Sequence, residues 1–204
     1  MASLSAESLR RSELVQASVE REKSQEGLSK EEWLRALQLR QRHSLVTHLK
    51  APDFERALEL LNKTNQFNTT GKRWTPQELG DLFANGGYLL CAFLQDRIVD
   101  NGLISVAVVR GACIEQVVLS CRVFGLGVED ALLHELTSRI LAEHPAVEAW
   151  LTDTGRNFSC HAYFSKAGFE AIGDGWHGSR IVSVPESINL QPTTVNEPPH
   201  ALKE

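Results

Sequence analysis

What this chain lacks excludes several kinds of chemistry at once. Its four cysteines, Cys91, Cys113, Cys121 and Cys160, are scattered with no CxxC pair and no His/Cys cluster, so neither a metal site nor a disulfide framework is expected, and most of the thiols read as reduced core residues. No apolar stretch approaches the ~20 residues of a membrane-spanning helix, and the amino terminus has no apolar signal-peptide core, so a cytoplasmic protein with no membrane partner is expected. One-sided charge is missing as well. With 26 acidic against 21 basic residues the net charge is −5, which gives no electrostatic reason to expect nucleic acid as a partner and is too small to imply disorder. No Asp stands two residues from another. Proline is sparse until the end, where Pro185, Pro192, Pro198 and Pro199 mark residues 185–204 as a flexible tail.

What is present is the material of one globular domain: 204 residues, 42% of them hydrophobic, enough to bury a single substantial core. The chain is organised around residues 113–140. Residues 113–120 form a β-favouring run without glycine or proline; Cys121, Arg122, Val123, Phe124, Gly125, Leu126 and Gly127 follow as a turn. From Val128 the apolar residues Val128, Ala131, Leu132, Leu136 and Ile140 recur at helical steps, leaving Glu129, Asp130 and Glu135 for water. A glycine turn thus delivers a strand into a helix. The first N–H groups of a helix have no internal acceptor and the macrodipole is positive there, so such a junction suits a phosphate or an oxyanion.

Around this stretch, residues 1–43 have the composition of a charged helical arm, with a break at Gly27 and a capping box from Ser29 and Glu32. Residues 44–50 alternate like a strand. A helix starts at Pro52 and Asp53, and a polar segment, residues 62–74, follows it. Amides and hydroxyls at that density are poor core material and serve either a polar ligand or the loop's own backbone. Thr75, Pro76 and Glu78 cap the next helix. Residues 88–95 and 103–109 read as a hairpin turning at Asp100, Asn101 and Gly102. Residues 147–152 read as a strand parallel to the central one, residues 157–166 as a short helix, Gly168 and Phe169 as a return to strand, and residues 181–184 as a last strand.

The spacing Arg122, Gly125, Gly127 resembles the acyl-CoA-binding motif of the GNAT acyltransferases, and the element order over residues 44–184 resembles their fold: an α/β (α+β) domain with a mixed, mostly antiparallel sheet flanked by helices. Four segments, residues 62–68 (NKTNQFN), 100–103 (DNGL), 114–128 (IEQVVLSCRVFGLGV) and 163–169 (YFSKAGF), are similar to the C-terminal, GNAT-like half of FkbH-like proteins, the HAD-IIIC family, and the charged arm resembles the linker that joins their halves. That resemblance implies an acyltransferase moving a glyceryl-like acyl group to or from the phosphopantetheine thiol of CoA or an acyl carrier protein, in polyketide extender-unit biosynthesis. The HAD half of that family carries a DxD phosphatase motif, absent here, so phosphatase activity is not expected and a separate HAD-type protein is a candidate partner.

On this reading the cofactor-binding residues are Ser120, Arg122, Val123, Phe124, Gly125, Leu126, Gly127 and Asn157, although Asn157 also suits a helix cap. Cys121, beside an arginine and near a helix amino terminus, is a candidate acyl acceptor, against the alternative of a small buried hydrophobe. Asn65 is a candidate for holding phosphate or oxyanion. In many GNAT enzymes a tyrosine four residues before the Gly-Phe pair protonates the leaving thiolate. Here Phe164 holds that position, and Tyr163, a further catalytic candidate, is displaced by roughly 100° of helix rotation. This weakens the case for a small-molecule N-acetyltransferase. A non-catalytic module binding CoA, carrier protein or a HAD partner through the same turn is the other reading. Glu115 reads as an edge carboxylate, and His134, His161 and His177 as surface or hydrogen-bonded histidines.

Overall fold

Alternating apolar side chains build the centre of the molecule as an antiparallel meander with no polar face. In the computed structural model, which describes residues 6–196 with side chains from residue 12 onward, β1 (Leu39–Val46), β2 (Tyr88–Gln95), β3 (Asp100–Arg110) and β4 (Cys113–Leu119) pair in sequence order. Leu90, Ala92, Leu94, Ile104, Ala107, Val117 and Leu119 point into one core. Leu89, Cys91, Val106, Val108 and Val118 point into a second core on the opposite face. A sheet apolar on both sides needs helices on both.

The arm supplies α1 (Ala6–Lys23) and α2 (Lys30–Ala36), the latter with the expected capping box from Ser29 and Glu32. α3 (Phe54–Lys63) and α4 (Pro76–Ala84, capped by Thr75 and Glu78) cover the second face with Phe54, Ala57, Leu61, Leu79 and Leu82. α5 (Val128–Leu141) covers the first, burying Val128, Ala131, Leu132, Leu133, Leu136, Thr137 and Ile140. β5 (Val147–Ala149) then lies parallel to β4, as the crossover requires. α6 (Tyr163–Lys166), β6 (Glu170–Ile172) and β7 (Gly175–Gly178) extend that side, and β8 (Ile188–Leu190) and β9 (Thr194–Asn196) return to β1. Among the described residues the sheet has nine strands, ordered β6-β7-β5-β4-β3-β2-β1-β8 with β9 also on β1. It is a mixed, mostly antiparallel sheet flanked by helices, and no described helix is long and apolar enough to cross a membrane.

Several local expectations are corrected. The first strand begins at Leu39 rather than at residue 44, so a boundary between arm and domain at residue 43 would cut β1. The hairpin turns at residues 96–99, while Asp100, Asn101 and Gly102 belong to β3. The reason is Asp96, whose carboxylate accepts the N–H groups of Ile98 (2.8 Å) and Val99 (2.9 Å) and so closes its own turn. The short helix splits into a 3₁₀ turn at Phe158–Cys160 and α6. Residues 181–184 form no strand. The supposed tail instead joins the sheet through β8 and β9, both parallel to β1; residues 197–204, with Pro198 and Pro199, lie outside the described residues.

Candidate functional site

The junction after β4 has the expected strand, turn and helix, with a tighter path than a plain glycine loop. Ser120 donates its N–H to Ile104 O (2.8 Å), Cys121–Val123 make a 3₁₀ turn, and the chain passes Gly125 (φ +81°) and Gly127 (φ +77°) into α5. Both glycines use the left-handed region, where a Cβ is strained. Val123 and Leu126 are buried as anchors, and Phe124 packs its half-exposed ring 6.1 Å from Phe67. The N–H groups of Gly125, Gly127 and Val128 meet no acceptor among the described residues. Cys121 at the start of the turn is exposed. The other thiols differ: Cys91 and Cys160 are buried, and desolvation pushes Cys113 and Cys160 up to about 11. Cys121 is therefore not a core residue.

Arg122 is used differently from the expectation. Its Nη2 donates to Asn101 O (2.9 Å) and Leu103 O (2.8 Å), two backbone carbonyls of β3, so the guanidinium staples the turn to the sheet instead of facing a phosphate. The arm reinforces the staple. Arg21, 4% exposed, pairs with buried Asp96 (2.9 Å), donates to Asn101 Oδ1 (3.0 Å) and reaches Arg122 O (3.3 Å).

The polar segment 62–74 serves its own backbone. Asn62 makes two 2.8 Å bonds to the backbone of Trp74, and Arg73 binds Leu61 O, Thr64 O and the side chain of Asn65. Asn65 is thus an exposed partner of Arg73. Residues 67–69 do something the sequence did not announce. β5 pairs with β4 only at Cys113 and Ile114. Farther along β4, Leu119 N donates to Phe67 O (3.0 Å), Thr69 N to Val117 O (3.0 Å), and Thr152 N to Thr69 O (2.7 Å). The segment therefore fills the gap between β4 and the chain after β5, and an extended ligand finds no open β4 edge there. Asn157 locks this plug: fully buried, it donates to Asn68 O (2.7 Å) and Thr152 O (2.9 Å) and accepts Thr154 N (2.9 Å). It neither faces a cofactor nor caps the following turn with its side chain.

Tyr163 is buried and gives its hydroxyl to Glu129 O (2.9 Å) at the start of α5; burial pushes its pKa well above the ordinary value. Phe164 is fully buried beside it, ring centroids 4.9 Å apart. Tyr163, Phe67 and Phe169 line a cleft of 830 Å³ between the start of α5, α6 and residues 177–183, into which Glu129 and Asp130 also face. These two carboxyls were expected in water, yet desolvation raises both pKa values. None of Cys121, Arg122, Gly125 or Asn65 lines that cleft. Of the predicted site residues, the structure thus groups Ser120–Gly127 at one turn and places Tyr163, Asn157 and Asn65 in separate structural roles. Glu115 pairs with Arg110 (2.6 Å), His134 meets Val182 O (2.6 Å), and His161 lies 3.4 Å from Asp153. Among the described residues no His, Cys, Asp and Glu cluster is arranged to ligate a metal.

No protein-family model matches the chain, and no curated protein matches it in sequence. Among solved structures, a GNAT superfamily phosphinothricin acetyltransferase from Sinorhizobium meliloti, in complex with acetyl-CoA, aligns with 62% of this chain and 79% of its own at 21% identity and a TM-score of 0.41. That likeness is too loose to carry any residue's role across.

Proposed function

We propose that this protein is a GNAT-type acyltransferase that moves a small, glyceryl-like acyl group to or from the phosphopantetheine thiol of CoA or an acyl carrier protein, with Cys121 as a covalent relay. The reading also takes a separate HAD-type protein as the source of any phosphatase step, in keeping with the FkbH-like resemblance. The observation that carries it is the exposed Cys121 thiol opening a turn whose Gly125, Gly127 and Val128 N–H groups have no acceptor among the described residues. In the transfer, the Cys121 sulfur forms a bond to the thioester carbonyl carbon. The carrier's carbon–sulfur bond breaks, and the departing thiolate takes up the proton that Cys121 has lost. Unpartnered N–H groups at a helix start are suited to the oxyanion that develops between these events. The second reading, a non-catalytic binding module, draws on the commitment of Tyr163, Asn65 and Asn157 to structural bonds.

Intact-protein mass after incubation with glyceryl and acetyl thioesters separates the two. The acyltransferase reading expects a donor-specific mass gain that Cys121→Ala abolishes. Gly125→Asp, whose side chain is strained at φ +81°, is expected to lose both the gain and ligand binding while keeping its circular dichroism. No gain with any donor, together with retained binding of CoA or carrier protein, would leave the binding module standing in its place.

A further inference from the structure

The second face of the sheet is covered by α3 and α4 only over its upper half. Below them, cross-strand register sets out two rows: Asn189, Arg40, Gln95 and Asp100 in one, and Arg42, Phe93 and Leu103 in the next. Arg42 lies four residues from Val46, which packs under α3 and α4, so the rows continue that same face. Of these, Arg40, Arg42, Phe93, Gln95 and Asp100, together with Gly102 and Gln191, line a groove of 380 Å³.

The groove brings two guanidiniums together on one face. Arg40 and Arg42 are exposed, stand two residues apart on β1, and among the described residues neither makes an ion pair or a hydrogen bond. Arg42 is nevertheless held in place, its guanidinium carbon 3.8 Å above the Phe93 ring. Such stacking fixes the guanidinium without neutralising it, which lowers the ordering cost of binding an anion. Gln191 is positioned by its bond to Asn189 (2.6 Å) and Asp100 by accepting Gly102 N–H (2.8 Å) at the far wall.

That far wall abuts the candidate site. Arg122 binds the carbonyls of Asn101 and Leu103, which bracket Gly102, so the turn bearing Cys121 is fastened to the strand that closes the groove. From β1 to β4 is three strand spacings, about 14 Å.

We infer that the Arg40–Arg42 groove binds the phosphate group of the ligand whose reactive end reaches Cys121. This rests on the acyl-transfer reading for the reactive end and on the groove alone for the phosphate. It divides the work at the site: with Arg122 engaged by β3, the paired free guanidiniums take the phosphate, and the turn N–H groups remain for the carbonyl oxygen. A ligand lying this way crosses β2 and β3 on the open half of the face.

Calorimetric titration of the full chain with pantetheine 4′-phosphate and with pantetheine, which differ only in the phosphate, tests this. The phosphorylated probe should bind about tenfold or more tightly than the other. That preference should vanish in Arg40→Ala/Arg42→Ala and persist in Cys121→Ala and in Arg110→Ala, a charge control at the opposite end of β3. Circular dichroism and a thermal melt of the double variant check that it folds; Arg42→Lys, which keeps charge but loses the planar stack, should retain part of the preference. Equal binding of the two probes, no measurable binding of the phosphorylated one, or an unchanged preference in a folded double variant would each overturn the inference. A phosphate preference without any acylation of Cys121 would keep the groove and reject the transfer reading. Acylation that is indifferent to the phosphate would do the reverse.

Discussion

The environment of His43 constrains its protonation. It lies fully buried on β1, and its Nε2 is 2.9 Å from Gln41 Nε2, which also donates to Val128 O (3.1 Å) at the start of α5. With the amide donating, the imidazole accepts and is neutral. Desolvation lowers its pKa to about 4, with Glu135 opposing and Arg139 and His134 assisting. The unfolded chain takes up this proton near pH 6.5, whereas the folded chain resists it until about 4. Stability contributed by the neutral ring is therefore complete above the unfolded pKa and is lost as the pH falls through that window, by on the order of 3 kcal/mol. Glu129 and Asp130, whose raised pKa values work in the opposite sense, stay constant if only His43 is changed. Urea midpoints measured from pH 7 to pH 4 should fall less steeply in His43→Leu than in the parent. Parallel curves would show that the ring is protonated in the fold without cost.

At the scale of elements, the arm and the turn are one mechanical unit. Arg21 on α1 and Asp96 after β2 are buried together, and the carboxylate that receives Arg21 also closes the β2–β3 turn through Ile98 and Val99. Removing one partner of a buried pair leaves the other charge without compensation, at a cost of about 3–5 kcal/mol, while removing both costs less. Arg21→Met should therefore lower the unfolding free energy by several kcal/mol. Arg21→Met/Asp96→Asn, which keeps an oxygen for the turn amides, should recover part of the loss. If Arg21→Met shifted stability by no more than ~0.5 kcal/mol, typical of a surface change, the arm would be an ornament on the fold. The same unit bears on chemistry: Arg21 touches Arg122 O, so loosening α1 should also make the Cys121 turn exchange its amide hydrogens faster.

Across the whole molecule, what was legible in the sequence was what repeats locally. The alternation in β2 to β4, the capping boxes at Ser29 and Thr75, the glycine turn and the three- and four-residue steps of α5 each specify their element from within a dozen residues, and together they were enough for the sheet and its crossover. Partnerships made at long range were not legible: Arg21 with Asp96, Asn157 with Asn68, and residues 67–69 against β4 join positions 75, 89 and about 50 residues apart, and no local pattern encodes them. The C-terminal strands are the clearest case. Two three-residue strands among prolines carry no periodicity, yet β8 pairs Leu39, Arg40 and Gln41 with Ile188, Asn189 and Leu190, while β9 pairs Ser44, Leu45 and Val46 with Thr194, Val195 and Asn196. Ile188 is buried in the main core, Gln191 N donates to Gln41 O (2.8 Å), and Pro185 sits against Gly127 at the start of α5. A chain ending at residue 184 would expose the whole outer edge of β1 and uncover Ile188's share of the core. Unpaired strand edges promote association between chains. The truncated protein should melt several degrees lower, exchange its β1 amides faster than those of β3, and show concentration-dependent light scattering. A truncated chain with the parent's melting temperature and monodispersity would mean that β1 is held by β2 and α5 alone, and that the last strands decorate an edge already secure.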